Sequence, residues 1–152
     1  MTHTQSVESL FIAAEPGRDY EALTNWEKRG QWRTGIQLKW EGDSRAFIGQ
    51  EVQFKIKGVP SYTFSYRITG LEPGRRVYME YTGYPLKGRS AVEITPRTGG
   101  CEVAFHWMKV EAVGFFPRFY FALGLGLQAH RRRTRETLRM LKEYLEGRDG
   151  LL

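Results

Sequence analysis

The sequence predicts an α+β fold in which a curved antiparallel sheet of six or seven strands wraps around one long C-terminal helix. Three observations carry this prediction. Apolar and polar residues alternate with period two in six short segments between residues 36 and 107. Turn-rich breaks separate those segments: GDS, KGVPS, EPGR, GYPLKG and PRTGG. The pattern then changes to a helical period over roughly the last 30 residues.

Val7 to Ala13 reads as a first strand. Pro16 suits the first turn of a helix that Asp19 to Leu23 continues. A second short helix or turn follows around Trp26 to Gly30. Ile36, Leu38 and Trp40 then alternate with Gln37, Lys39 and Glu41, and Val52, Phe54 and Ile56 with Gln53, Lys55 and Lys57. Tyr62, Phe64, Tyr66 and Ile68 form the next set. Val77, Met79 and Tyr81 follow, then Ser90, Val92 and Ile94, then Val103, Phe105 and Trp107. Such segments are strands with one wet and one buried face, and six in sequence argue for an antiparallel meander.

The C-terminal segment is placed on a wheel of about 100° per residue starting at Phe116. Tyr120, Leu123, Leu127, His130, Thr134, Leu138, Leu141 and Leu145 then fall within roughly 40° of one line. Pro117 suits the first turn and Gly147 the C-cap, so one helix of roughly 30 residues is predicted. Its apolar stripe needs cover, and the sheet supplies it. A sheet curved around a helix leaves a gap, most of all where short helices prop one end open.

The length of 152 residues suits one domain, here residues 1–152. Aromatic residues make up 14%, which fits either an aromatic core or an aromatic-lined pocket. Cys101 is the only cysteine, so no intramolecular disulfide forms, in keeping with a reducing compartment. The N-terminal MTHTQSVESLF lacks a basic region followed by an apolar run, so no secretory signal is read. The most apolar stretch, Val113 to Leu127, is too short to span a bilayer and contains Pro117 and Arg118. A soluble, cytoplasmic protein is expected.

The net charge of +6 is concentrated near the C-terminus. Arg131, Arg132, Arg133, Arg135, Arg139 and Lys142 stand there against Glu136 alone. Arg131, Arg135, Arg139 and Lys142 form one stripe beside the apolar one. Long basic side chains flanking a buried stripe commonly cover apolar surface, and a solvated face is the expected reading. RNA or an anionic membrane is the alternative partner. Nucleic acid is not expected, and any membrane contact is expected to be peripheral.

Several segments resemble a known superfamily. Ile12-Ala13-Ala14-Glu15-Pro16, then Tyr20-Glu21-Ala22-Leu23-Thr24-Asn25, then Trp32 are similar to the opening of START-like, or SRPBCC, proteins. The resemblance continues through Gly49, Leu71-Glu72-Pro73-Gly74-Arg75-Arg76-Val77 and Ile94-Thr95-Pro96 with Gly99-Gly100. It ends in Leu138-Arg139-Met140-Leu141-Lys142-Glu143-Tyr144-Leu145-Glu146, similar to the closing L-x-x-L-K-x-x-x-E. Cys101 departs from a usual threonine and Asn25 from a common aspartate. The polyketide cyclase/dehydrase-like subgroup is the nearest in pattern. The resemblance implies a helix-grip fold with a cavity for an apolar ligand, and it implies fold more than reaction.

No metal or cofactor is expected. His3, His106 and His130 are far apart and no Cys-x-x-Cys occurs. Gly124-x-Gly126 lies inside the predicted helix and lacks the strand context of a phosphate loop. No serine-hydrolase elbow is present, and no catalytic residue is assigned. The candidate ligand-binding residues are Tyr62, Phe64, Tyr66, Tyr81, Ser90 and Trp107 on strands, with Tyr120, Leu123, Leu127 and His130 on the long helix. The tyrosines share the phase of the buried residues, so their hydroxyls need partners. They either line a cavity or fill a core. His130 sits on the inward stripe, where it is a ligand hydrogen-bond partner, a general base, or a core histidine. Cys101 reads as a small structural residue, and Trp26 and Trp32 as packing for the short helices. Phe121 and Leu125 are placed on the outer face, beside Gly124 and Gly126, as a homodimer contact or membrane-touching mouth.

The first functional reading is binding of a small hydrophobic ligand, such as a lipid, isoprenoid or polyketide-like aromatic, for carriage or sequestration. The alternative is a cofactor-independent cyclase or dehydratase.

Overall fold

In the computed structural model, residues 4–58, 62–83 and 85–147 are described, without the side chains of Thr4 and Tyr62. Each alternating segment forms a strand. The order is β1 (Thr4–Ile12), α1 (Pro16–Thr24), α2 (Trp26–Trp32), β2 (Ile36–Trp40), β3 (Glu51–Ile56), β4 (Tyr62–Glu72), β5 (Arg76–Tyr81), β6 (Leu86–Arg97) and β7 (Gly100–Ala112). They make one antiparallel sheet in the order β1-β7-β6-β5-β4-β3-β2. β2 to β7 are the predicted meander, and β1 adds to its far edge with Leu10 opposite Val103 and Ile12 opposite Cys101.

The two short helices close one end of the sheet. Asn25 caps α2 by accepting a hydrogen bond from the Lys28 amide at 3.2 Å. Trp26 is buried, and its indole N–H donates to Gln50 Oε1 at 2.9 Å. The Gln50 amide donates in turn to the carbonyls of Glu41 and Asp43 at 2.8 and 2.9 Å. Trp32 donates to the Ala22 carbonyl at 2.9 Å. Both tryptophans therefore hold the short helices in place, as expected.

The C-terminal helical region departs from the prediction. It comprises α3 (Phe115–Ala122) and α4 (Leu125–Lys142), followed by a wide π-type turn over Glu143–Gly147. Gly124, at φ 80°, takes the left-handed conformation that breaks the helix and that a side chain disfavours. Two residues on, a Cβ at Gly126 would lie 2.5 Å from the Phe121 ring. The chain turns here so that Phe121 can seat against that bare backbone.

A helical wheel drawn through this break loses its phase. Beyond it the predicted stripe holds, and Thr134, Leu138, Leu141 and Leu145 are buried against the sheet and short helices. Before it, Phe116, Tyr120 and Leu123 are exposed at 76, 45 and 59%. Phe121, predicted to face outward, packs instead against the core with its ring 6.0 Å from that of Trp107. Among the described residues no helix is long and apolar enough to cross a membrane.

Candidate functional site

Strand alternation places one aromatic after another on the concave face. Register pairs Phe54 with Phe64 across β3 and β4, and Tyr66 with Tyr81 across β4 and β5. Ring centroids lie 5.1 Å apart for Phe54–Phe64, 5.6 Å for Phe64–Tyr81 and 6.1 Å for Tyr81–Trp107. Each such pair contributes roughly 0.5–1.5 kcal/mol beyond burial, so the ladder is a stiff wall. The Trp107 indole N–H also donates to the Tyr81 hydroxyl at 2.9 Å.

Between this wall and the middle of α4 lies a cavity of about 100 Å³. Phe64, Tyr66, Tyr81, Ser90, Trp107 and His130 all line it, six of the ten residues named from sequence. Three others do not join them, and the fourth is Tyr62. Tyr120 and Leu123 face solvent because α3 is a separate helix. Leu127 is half-buried one turn before His130, outside the lining. The side chain of Tyr62 lies outside the described residues.

His130 stacks on Trp107. The Thr134 hydroxyl donates to the His130 carbonyl at 2.8 Å and stands 3.4 Å from its Nε2. Burial pushes the imidazole pKa down to about 3, with Arg133 and Arg131 adding to the effect and Glu8 opposing it. The ring is therefore neutral at physiological pH, able to give or take a hydrogen bond.

Three arginines border the cavity, Arg29, Arg33 and Arg133, and the first two are served differently. Arg33 donates from Nε to Thr137 Oγ1 at 2.7 Å, also donates to the Thr34 carbonyl, and has Glu136 at 3.9 Å. Arg29 lies 5.1 Å above the Phe54 ring and donates to the Leu23 carbonyl at 3.3 Å. Its Nε has no hydrogen-bond partner among the described residues, the hydroxyl of Tyr66 has no acceptor for its proton there, and both atoms are buried. Sequence reasoning missed Arg29 and Arg33 because charged side chains are assigned to solvent by default. A signal was present. Trp26, Arg29 and Arg33 recur at helical spacing, which puts both cations on the face that Trp26 buries.

No protein-family model and no curated protein sequence matches this chain. Solved structures do. KanY superposes with a TM-score of 0.74 at 16% identity, covering 96% of this chain and 99% of KanY. The di-domain ARO/CYC StfQ from the steffimycin biosynthetic pathway gives 0.72 at 16% identity, over 97% of this chain and 52% of StfQ. The Aha1 dimer from Colwellia psychrerythraea gives 0.68 at 17%, over 94 and 96% of the two chains. The chain has the helix-grip fold. At such identities the likeness speaks for the fold alone.

At the other end of the helix-grip sheet Cys101 donates to Asp19 Oδ2 at 2.9 Å. Burial pushes the thiol up to about 12 and Asp19 up to about 6. Cys101 is buried beside a carboxylate, a setting that disfavours its thiolate. The basic stripe on the gripped helix is also accounted for. Arg131 and Arg135 pair with Glu8 of β1 at 2.8 and 2.7 Å, Arg139 with Glu143 at 2.9 Å, and Lys142 with Glu146 at 2.7 Å.

Proposed function

We propose that this chain binds a small hydrophobic molecule in the cavity beneath α4, as a carrier or sequestering protein. A lipid, an isoprenoid or a polyketide-like aromatic fits the aromatic wall. The observation that carries the proposal is the joining of that wall to buried polar groups at one hollow under the middle of the helix. The alternative, a cyclase or dehydratase, is less well supported. No Asp or Glu is among the described residues lining the cavity. His130 titrates near 3, far from the range in which a general base works best at neutral pH.

The cavity of about 100 Å³ is smaller than the roughly 300–1,000 Å³ of typical ligand sites. Occupancy therefore requires opening, and α3 is the element suited to move. It holds no buried residue and lies between Gly114 and Gly124. Phe121, beside Trp107, is the wedge that α3 would withdraw. A neutral apolar fluorophore, N-phenyl-1-naphthylamine, tests the proposal. Saturable uptake with quenching of the tryptophans, weakened by the cavity-filling Phe64→Trp, is expected. No uptake at any concentration overturns it.

The outer face of α3 carries the partner proposal. Phe115, Phe116, Phe119, Tyr120, Leu123 and Leu125 are all exposed there. Leu125 was expected on this face; Phe121 was expected beside it and instead packs inward against Trp107. A contiguous apolar patch of this kind supports self-association, and the Aha1 neighbour was solved as a dimer. Sedimentation should show a dimer that Phe116→Asp dissociates. A strictly monomeric protein ends the proposal, and liposome binding by that monomer would assign the face to a membrane.

A further inference from the structure

We infer that the occupant of the cavity is an organic acid, with its ionised oxygen set between Arg29 and the Tyr66 hydroxyl and its apolar body along the aromatic wall. The inference rests on the ligand-binding reading above and names the chemical class of that ligand.

The argument starts from charge. Arg29 is only 8% exposed, yet among the described residues no carboxylate pairs with it. A guanidinium taken out of water without a counter-ion is among the costliest groups a fold can hold. Arg33 shows how this chain satisfies a buried arginine when no opening is needed. It has Thr137, the Thr34 carbonyl and Glu136 around it. Arg29 has one carbonyl and two aromatic faces, at 5.8 Å for Trp26 and 5.1 Å for Phe54. Those faces fix the plane of the guanidinium and leave its Nε edge unmet.

A second polar atom is left open at the same place. Tyr66 is 4% exposed, and its hydroxyl sits beside Arg29 with no acceptor for its proton among the described residues. Burial raises the phenol pKa, and Arg29 opposes that rise through its charge and through a contact to the phenol oxygen. The phenol therefore stays protonated and can donate. Two buried donor groups with no acceptor call for an acceptor. A carboxylate, phenolate or enolate supplies both the lone pairs and the missing negative charge, and an arginine fork matches a carboxylate in particular.

The experiment compares 2-naphthoate with 2-naphthamide, its neutral counterpart of the same shape, by calorimetry on the full chain. Wild type should bind the acid at least about tenfold more tightly than the amide, the scale of a charge-assisted pair. Arg29→Met should remove most of that preference while amide binding holds, and Tyr66→Phe should remove a smaller part. Equal affinity for the two compounds in wild type overturns the inference while leaving the ligand-binding reading intact. So does an Arg29→Met variant that keeps the wild-type circular dichroism and melting transition yet loses both compounds equally, since Arg29 is then only a brace between α2 and Phe54. Failure to bind either compound overturns the binding reading itself. The wild-type comparison needs no variant, so a poorly folding Arg29→Met does not blunt the test.

Discussion

The His130 imidazole lies 3.4 Å from the Trp107 indole, centroid to centroid, at an interplanar angle of 16°. Trp107 in turn donates to Tyr81. One stack thus joins α4 to the aromatic wall across the top of the cavity. His130→Ala should remove the joint and enlarge the hollow, at roughly 1–3 kcal/mol by urea denaturation. Loss of apolar-probe affinity should be the larger effect. If melting temperature drops sharply while affinity holds, His130 is a core residue only.

Two buried groups should give stability opposite slopes with pH. Asp19 is raised from 3.8 to about 6 by burial, so its folded form prefers the proton and its contribution is lost as pH rises from 4 through 6. His130 is lowered from 6.5 to about 3, so its folded form refuses the proton and its contribution is lost as pH falls from 6.5 toward 3. The full effects are about 3 and 4–5 kcal/mol. Between pH 4 and 6 they oppose each other. Relative to wild type, Asp19→Asn should therefore gain stability as pH rises across that window, and His130→Asn should lose it. Parallel profiles for the two variants would refute the assignment.

Phe121 and Gly126 should show strong coupling. A Cβ on residue 126 would enter the Phe121 ring at 2.5 Å. Gly126→Ala should cost roughly 1–3 kcal/mol by overpacking. In a Phe121→Ala background the same change should cost little, because the ring is gone. Phe121→Ala alone should speed probe uptake if it wedges the cavity shut, measurable by stopped-flow fluorescence.

Glu8 pairs with both Arg131 and Arg135 and offsets one of their two positive charges. With the stripe's cations all held in ion pairs, wild type should show at most weak RNA binding at low salt. Glu8→Gln frees both cations, and any weak binding that appears should fall steeply with added salt. Tight binding by wild type at low salt would restore the basic helix as a partner surface.

The sheet was legible because period-two alternation from Ile36 to Trp107 maps directly onto a concave and a convex face. That alternation brought Phe64, Tyr66, Tyr81, Ser90 and Trp107 together without knowledge of the fold. The helix was legible only after its break. From His130 to Leu145 the wheel is right, while Tyr120 and Leu123 were misplaced because Gly124 resets the phase. The inversion of Phe121 has the same cause, since its inward turn depends on a contact with Gly126 that no local periodicity encodes. Arg29 was illegible for another reason. Its burial is decided by Trp26 and Phe54, one near and one far in sequence, and only the assembled sheet brings them together.

The central claim is that the hollow beneath α4 holds an apolar molecule. Native mass spectrometry of the protein purified from its own cells tests it most directly. The account predicts a retained small molecule that is lost on unfolding and is depleted in Arg29→Met. A spectrum of uniformly ligand-free wild-type protein, under conditions that preserve the fold, would contradict it.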